Sequence, residues 1–268
     1  MKRNTKILFL CLTILVFVAA IVAATSIRRS SIVGGLTVNI DYQGTSQLIS
    51  TNQIESKIAE SFPGITSSRV RDINLKAIES LLATNPSIEK IHSAISVGGR
   101  IVINIVQRRP IAKVHYDDNT FYIDKLGHCF PLSNISDCDV LVANGIFHQH
   151  LNGDISKCDI SLMAIDSTRS QYGLVKVWAM SKYLDSHFNE YGILFDQLFL
   201  DSNGDIILQP RLYSHEVVIG SLDYLDEKFA NLKLFYAKGL PHAGYDSYSR
   251  VSLKYRNQVV CTKKTKKQ

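Results

Sequence analysis

Apolar and polar positions fall into three patterns along the 268 residues. The first is unbroken. Ile7 to Ala24 carries no charge and almost nothing polar; with Thr25 to Ile27 added, a helix at ~1.5 Å per residue matches a hydrocarbon core ~30 Å thick. A transmembrane helix is therefore expected over residues 7–27, with a tail at 1–6 and a linker at 28–35. Lys2, Arg3 and Lys6 outnumber Arg28 and Arg29, which puts the tail in the cytoplasm and the body outside. The alternative is a cleaved signal peptide, because Val22-Ala23-Ala24 offers small residues to a signal peptidase. A signal h-region is shorter than this run, at ~7–15 residues.

The second pattern, over residues 36–110, mixes periods of two and about four. Leu36, Val38 and Ile40 alternate with Thr37, Asn39 and Asp41 up to Tyr42, which predicts a strand with one buried face. Ser50-Thr51-Asn52-Gln53 reads as a capping box opening a helix with Ile54, Ile58 and Phe62 on one side, stopped by Pro63-Gly64. A second helix begins near Asp72 or Asn74, carries the stripe Leu75, Ile78, Leu81 and Leu82, and ends at Asn85-Pro86, since the residue before proline is pushed out of the helical region. Two strands follow, Ile88 to Val97 and one bearing Ile101, Ile103 and Ile105, joined by Gly98-Gly99 as a hairpin. The order is β-α-α-β-β.

Residues 111–262 are strand-rich with two helices. Val114–Tyr116 and Thr120–Ile123 flank Asp117-Asp118-Asn119, Asp124–Gly127 is a turn, and Val140–Ala143 is a short strand. Leu174, Val177, Trp178, Ser181, Leu184 and Phe188 share one face of a helix over Tyr172–Phe188, with Trp178 as a core anchor. Leu194–Leu200 and Asp205–Leu208 form a hairpin about Asn203-Gly204, and His215–Ile219 is one more strand. The next helix starts at Ser221 or Asp223, shows Leu225, Phe229, Leu232 and Tyr236, and is expected to end at Gly239 in a left-handed cap before Pro241. Tyr248–Tyr255 and Gln258–Thr262 close the chain as strands, ahead of a basic tail at 263–268.

Charge removes one function class. The net charge is +6, but nine of the 30 basic residues are terminal: Lys2, Arg3, Lys6, Arg28, Arg29, Lys263, Lys264, Lys266 and Lys267. The body keeps 21 basic against 24 acidic residues, which is no footprint for a phosphate backbone. At 46% hydrophobic the chain can bury real cores, and the size of the body suits about two domains.

Enzyme chemistry finds little support. There is no GxSxG, P-loop, HExxH or GxGxxG pattern. His148 and His150 flank a glutamine without a third metal ligand, and Asp117, Asp118, Asp124 and Asp201 stand at turns, where carboxylates accept local backbone N–H groups. Cys129, Cys138, Cys158 and Cys261 remain once Cys11 is assigned to the membrane run; four cysteines allow three pairings, and free thiols are the preferred reading over any bridge. His128-Cys129 and Cys138 lack zinc spacing. No cofactor or metal is expected.

The membrane run, the β-α-α-β-β unit and the exit Val106-Gln107-Arg108-Arg109-Pro110-Ile111-Ala112 resemble a POTRA domain outside a membrane anchor. With Phe121-Tyr122-Ile123-Asp124-Lys125-Leu126-Gly127, Lys228-Phe229-Ala230-Asn231-Leu232 and Val251 to Val260, nearly the whole chain resembles the bacterial cell division family FtsQ/DivIB, in its Bacteroidetes-type versions. The resemblance implies an α+β protein: a single N-terminal transmembrane helix, a POTRA domain, then a second strand-rich α/β domain with a C-terminal β-sheet. It also implies a non-enzymatic scaffold at the division septum of the inner membrane, binding an FtsB/FtsL-type (DivIC/FtsL) coiled-coil pair through its C-terminal strands. Other divisome membrane proteins would meet the POTRA domain and the transmembrane helix, and no nucleic acid is involved. The other class open to a POTRA-bearing chain is outer-membrane assembly or secretion.

The terminal strands are the candidate site. A last strand has a free row of N–H and C=O groups that invites strand addition unless charge or proline blunts it. Main-chain bonds would supply affinity, and Tyr248, Arg250, Ser252, Leu253, Tyr255, Val259 and Val260 would select the partner.

Overall fold

The computed structural model describes residues 2–147, 158–165, 172–191 and 194–265. The chain divides into two compact units, 1–108 and 109–268.

The first unit opens with α1 (Lys2–Ser30), whose described side chains from Phe9 to Val22 are exposed apolar groups. Among the described residues, which omit the side chains of 2–8, 11, 24 and 26–29, no helix is long and apolar enough to cross a membrane. Then come β1 (Leu36–Asp41), α2 (Thr51–Ser61), two 3₁₀ turns, α3 (Leu75–Leu82), β2 (Ile88–Ile95) and β3 (Ile101–Gln107). The capping box forms: the Ser50 side chain accepts from Gln53 N–H while Gln53 Oε1 accepts from Ser50 N–H. Asn74 caps α3 with a single bond, accepting from Ala77 N–H.

β3 is the middle strand of three, parallel to β1 and antiparallel to β2. Its position explains why Ile101, Ile103 and Ile105 are at most 1% exposed, packed with Ile54, Ile58, Ile78 and Leu82 from the two helices. β2 stops at Ile95 rather than Val97, because the chain turns there and Ser96 N–H bonds Arg100 O. Gln107 is buried but satisfied: its Oε1 accepts from Leu48 and Ile49 N–H, and its Nε2 donates to Ser46 O.

The second unit is built on one nine-stranded sheet, ordered β12-β11-β10-β9-β8-β7-β4-β5-β6. Its strands are β4 (Pro110–Tyr116), β5 (Asn119–Asp124), β6 (Cys129–Pro131), β7 (Leu141–Gly145), β8 (Phe195–Leu200), β9 (Ile206–Pro210), β10 (Glu216–Gly220), β11 (Tyr248–Ser252) and β12 (Val260–Lys263). Three neighbouring pairs are parallel, β4 with β7, β7 with β8 and β10 with β11. Parallel pairing needs a crossover. α4 (Ile160–Ile165) and α5 (Gly173–Tyr191) lie in the connection from β7 to β8, and α6 (Leu225–Leu234) with α7 (Leu240–Ala243) in that from β10 to β11. Leu174, Val177, Phe229 and Leu232 from the helices, all fully buried, meet Val114, Phe121, Leu198, Leu208, Val217 and Val251 of the sheet.

Several expectations change here. β6 and α4 escaped the sequence reading because three and six residues are too short to show a period. Trp178 is not a deep anchor: it is half-buried at the core's edge, with its indole N–H donating to Lys125 O at 3.3 Å and Lys182 Nζ 4.8 Å from its ring centre. The side chain of Phe188 lies outside the described residues.

Gly239 does not end its helix. Its φ is −77°, and the chain continues through a π-helical turn, Phe235–Gly239, into α7, ending at Gly244 with φ +91°. Proline interrupts the α-helical ladder, and a widened turn ahead of Pro241 absorbs the interruption. Glycine is needed at 239 for space, because a Cβ there would come within 2.6 Å of the Phe235 ring.

Candidate functional site

β11 is held from below and from one side. Val251 (0% exposed) and Leu253 (1%) sink into the core, and Leu253 N–H donates to Val218 O at 2.8 Å. Toward β10 the register is Glu216 to Arg250, Val217 to Val251 and Val218 to Ser252. Arg250 Nη2 meets Glu216 Oε2 at 2.8 Å, but both side chains are about half-exposed, so the pair is worth only about 0–1 kcal/mol. A bulge between Tyr248 and Arg250 shifts the strand's phase, which is how Tyr248 packs inward against Phe235 (5.8 Å) while Ser249 and Arg250 both face solvent.

The alternation expected from Tyr248 through Tyr255 stops early. The strand ends at Ser252, and Tyr255, 58% exposed, stands in a turn closed by Gln258 N–H on Tyr255 O, with Asn257 at φ +56°. The chain then returns as β12, antiparallel to β11, with Ser252 opposite Val260, Val251 opposite Cys261 and Tyr248 opposite Lys263. Val259 and Cys261 rest on the core, while Val260, 43% exposed, and Thr262 face solvent. Lys263 is part of β12 rather than of the tail.

The outer side of β12 is the main feature. Lys264 N–H bonds Ser247 O, so its amide points at β11. Strand amides alternate in direction, which turns those of Thr262 and Val260 inward and those of Cys261 and Lys263 outward. Among the described residues no strand pairs with that outer side.

The expected site residues are thus divided. Tyr255 and Val260 present side chains, Arg250 is exposed but matched, Ser252 and Val259 are half-buried, and Tyr248 and Leu253 support the strand from the core side. The free main-chain row on the last strand was expected from the sequence, but which amides face outward, those of Cys261 and Lys263, follows only from the register with β11.

Buried polar groups back the site. Lys228, 8% exposed, lines a cavity of about 160 Å³ with Tyr224, Arg256 and Asn257 beneath the β11–β12 turn. Its Nζ donates to Ser221 O at 2.8 Å, and burial pushes its pKa down. His215 is fully buried, shares a 2.8 Å hydrogen bond with the Tyr236 hydroxyl and is likewise pushed down by burial. Lys254 goes the other way, raised by its 2.6 Å bond to Asp205.

A cleft of about 460 Å³ between Arg109, Leu141, Asp185 and Arg211 is lined by ion pairs. Arg109 grips Asp185 with two bonds of 2.5 and 3.1 Å, and Arg211 meets Asp196 and Asp139 at 2.5 and 2.9 Å. Burial alone would raise the Asp185 pKa, but the Arg109 bond and the charges of Arg109 and Lys125 together hold it low. Asp124 and Asp201 act as turn acceptors, each taking two backbone N–H groups at 2.8–2.9 Å. His148 and His150 lie outside the described residues.

A family model described as FtsQ/DivIB, C-terminal related, matches residues 109–262. No curated protein matches the chain.

Proposed function

Because the chain belongs to the FtsQ/DivIB, C-terminal related family, a family of non-enzymatic cell-division proteins, we propose that it works as a septal scaffold whose β12 edge takes up a strand from an FtsB/FtsL-type coiled-coil pair. In this reading α1 anchors the chain in the inner membrane and both units lie on the periplasmic side. The uncharged stretch from Ile7 to Ala24 within α1 and the outward apolar side chains from Phe9 to Val22 support that placement. The first unit, with its β-α-α-β-β order, is read as a POTRA domain that recruits other division proteins.

The observation that carries the partner reading is the unpaired outer row of β12. Strand addition draws affinity from main-chain bonds and selectivity from side chains beside them. Tyr255 and Val260 are the exposed apolar groups there. Proline at Cys261 tests this directly, since it removes an outward N–H and leaves the inward bonds of Val260 and Thr262 to β11. Cys261→Pro is expected to keep its circular dichroism spectrum and to lose at least about tenfold in affinity for the coiled-coil pair, or ~1.4 kcal/mol. A folded variant that binds at full strength overturns the reading.

A further inference from the structure

At the opposite margin of the sheet, β6 brings two thiols together. Cys129 opens β6, and Cys158 lies in the segment that runs antiparallel beside it. Cys129 N–H donates to Cys158 O at 2.9 Å and Ile160 N–H donates to Gly127 O at 2.8 Å, with His128 and Asp159 paired between them. In that register Cys129 and Cys158 stand opposite each other and their side chains leave the same face. The thiols are within hydrogen-bonding reach of one another. Cys129 is 2% exposed and Cys158 half-buried, so one is sealed and the other reachable.

We propose that Cys129 and Cys158 form a disulfide, made by exchange with an external protein or small-molecule disulfide, which locks residues 158–165 over the β6 margin. This does not rest on the partner reading at β12. The other two cysteines of the unit are placed elsewhere, Cys138 with its N–H on the Tyr122 hydroxyl and Cys261 on β12 at the far margin.

The division of labour follows from the surroundings. The hydrogen bond from Cys129 holds the Cys158 thiol low, while the same bond, burial and the nearby Asp124 and Asp159 push Cys129 up. Cys158 is therefore the attacking thiolate. It bonds to one sulfur of the oxidant, whose second sulfur leaves as a thiolate and takes up the Cys158 proton from solvent. Cys129 then attacks Cys158 Sγ, and its proton goes to the second departing thiolate. Two protein thiols are oxidised and one external disulfide is reduced to two thiols.

The test uses the full-length chain, equilibrated folded in mixtures of reduced and oxidised glutathione, quenched in acid and alkylated, then digested for mass spectrometry. The expected product is a cross-linked pair of peptides carrying Cys129 and Cys158, with Cys11, Cys138 and Cys261 alkylated. Reduction should lower Tm by on the order of 5–10 °C, as for a closed loop of about 30 residues. Cys158→Ser should abolish both the cross-link and that drop, and Cys138→Ser and Cys261→Ser should change neither. Five alkylated thiols in oxidised glutathione, a bridge between other cysteines, or Cys158 found only as a glutathione adduct would each overturn the proposal.

Discussion

At the β6 margin of the nine-stranded sheet, residues 158–160 run alongside the chain, accepting from Cys129 N–H and donating to Gly127 O, and Pro131 ends the strand. At the β12 margin the four residues Val260–Lys263 hold β11 on one side, and among the described residues nothing pairs with the other. The same hazard is met twice. An unprotected edge templates association, and in the proposed reading the bare β12 edge is where a partner strand adds. The remaining protection of β12 is modest, consisting of its shortness and the charge of Lys263.

The sharpest contrast comes from truncating what lies behind the open edge rather than what lies on it. Phe229 is 0% exposed and packs in the same core as Val251. Phe229→Ala should cost ~3–5 kcal/mol and remove partner binding together with the fold. Tyr255, 58% exposed in the turn, should behave oppositely: Tyr255→Ala leaves the denaturation midpoint within ~0.5 kcal/mol and weakens binding alone. If both variants changed binding only in step with stability, β12 would be a rim and not a site.

The comparison can also be broken by uncovering β6. Gly127 has φ +94°, and a Cβ there would lie 2.8 Å from Ser161 N and 3.3 Å from the Trp178 ring. Gly127→Ala should cost ~1–3 kcal/mol and displace the covering segment. The freed β6 edge should then self-associate, visible as a rise in mass by light scattering, with β12 binding kept. A variant that stays monomeric would mean the cover is not what keeps that edge quiet.

A smaller effect separates the margins by pH. His215, on the β12 side beneath Tyr236, has its pKa lowered by burial. A depressed folded pKa means the unfolded chain takes up protons more readily as pH falls through ~6.5. The stability His215 lends is therefore complete above that value and declines below it. His215→Gln should flatten the pH dependence of the melting temperature between about pH 6.5 and 5, where Cys129→Ser, at the other margin, should leave its slope unchanged.

How much of this the sequence disclosed varies with length and with period. The capping box at Ser50-Gln53, the stripe of α3 and the central strand with Ile101, Ile103 and Ile105 were legible because each repeats a pattern several times. The order β-α-α-β-β followed from them, and the hairpin about Asp117-Asp118 from the short strand runs on either side of it. Gly239 misled because a glycine before a proline signals a stop, whereas here it makes room for Phe235 in a π turn. At the site, sequence alternation picked out the right strands but not their faces: a one-residue bulge after Tyr248 re-phases β11 and the turn carries Tyr255 away from it. The pairing of Cys158 with Cys129 was out of reach, since it depends on a 30-residue excursion returning beside a three-residue strand.

Amide hydrogen exchange on the full-length chain, with and without the FtsB/FtsL-type pair, tests the central claim most directly. The account predicts that Cys261 and Lys263, the outward amides of β12, exchange markedly more slowly in the complex, while the amides of Cys129 and Phe130 and of residues 158–160 keep their rates. Protection that appears in β6 or in the first unit, with Cys261 and Lys263 exchanging as they do in the free chain, would contradict it.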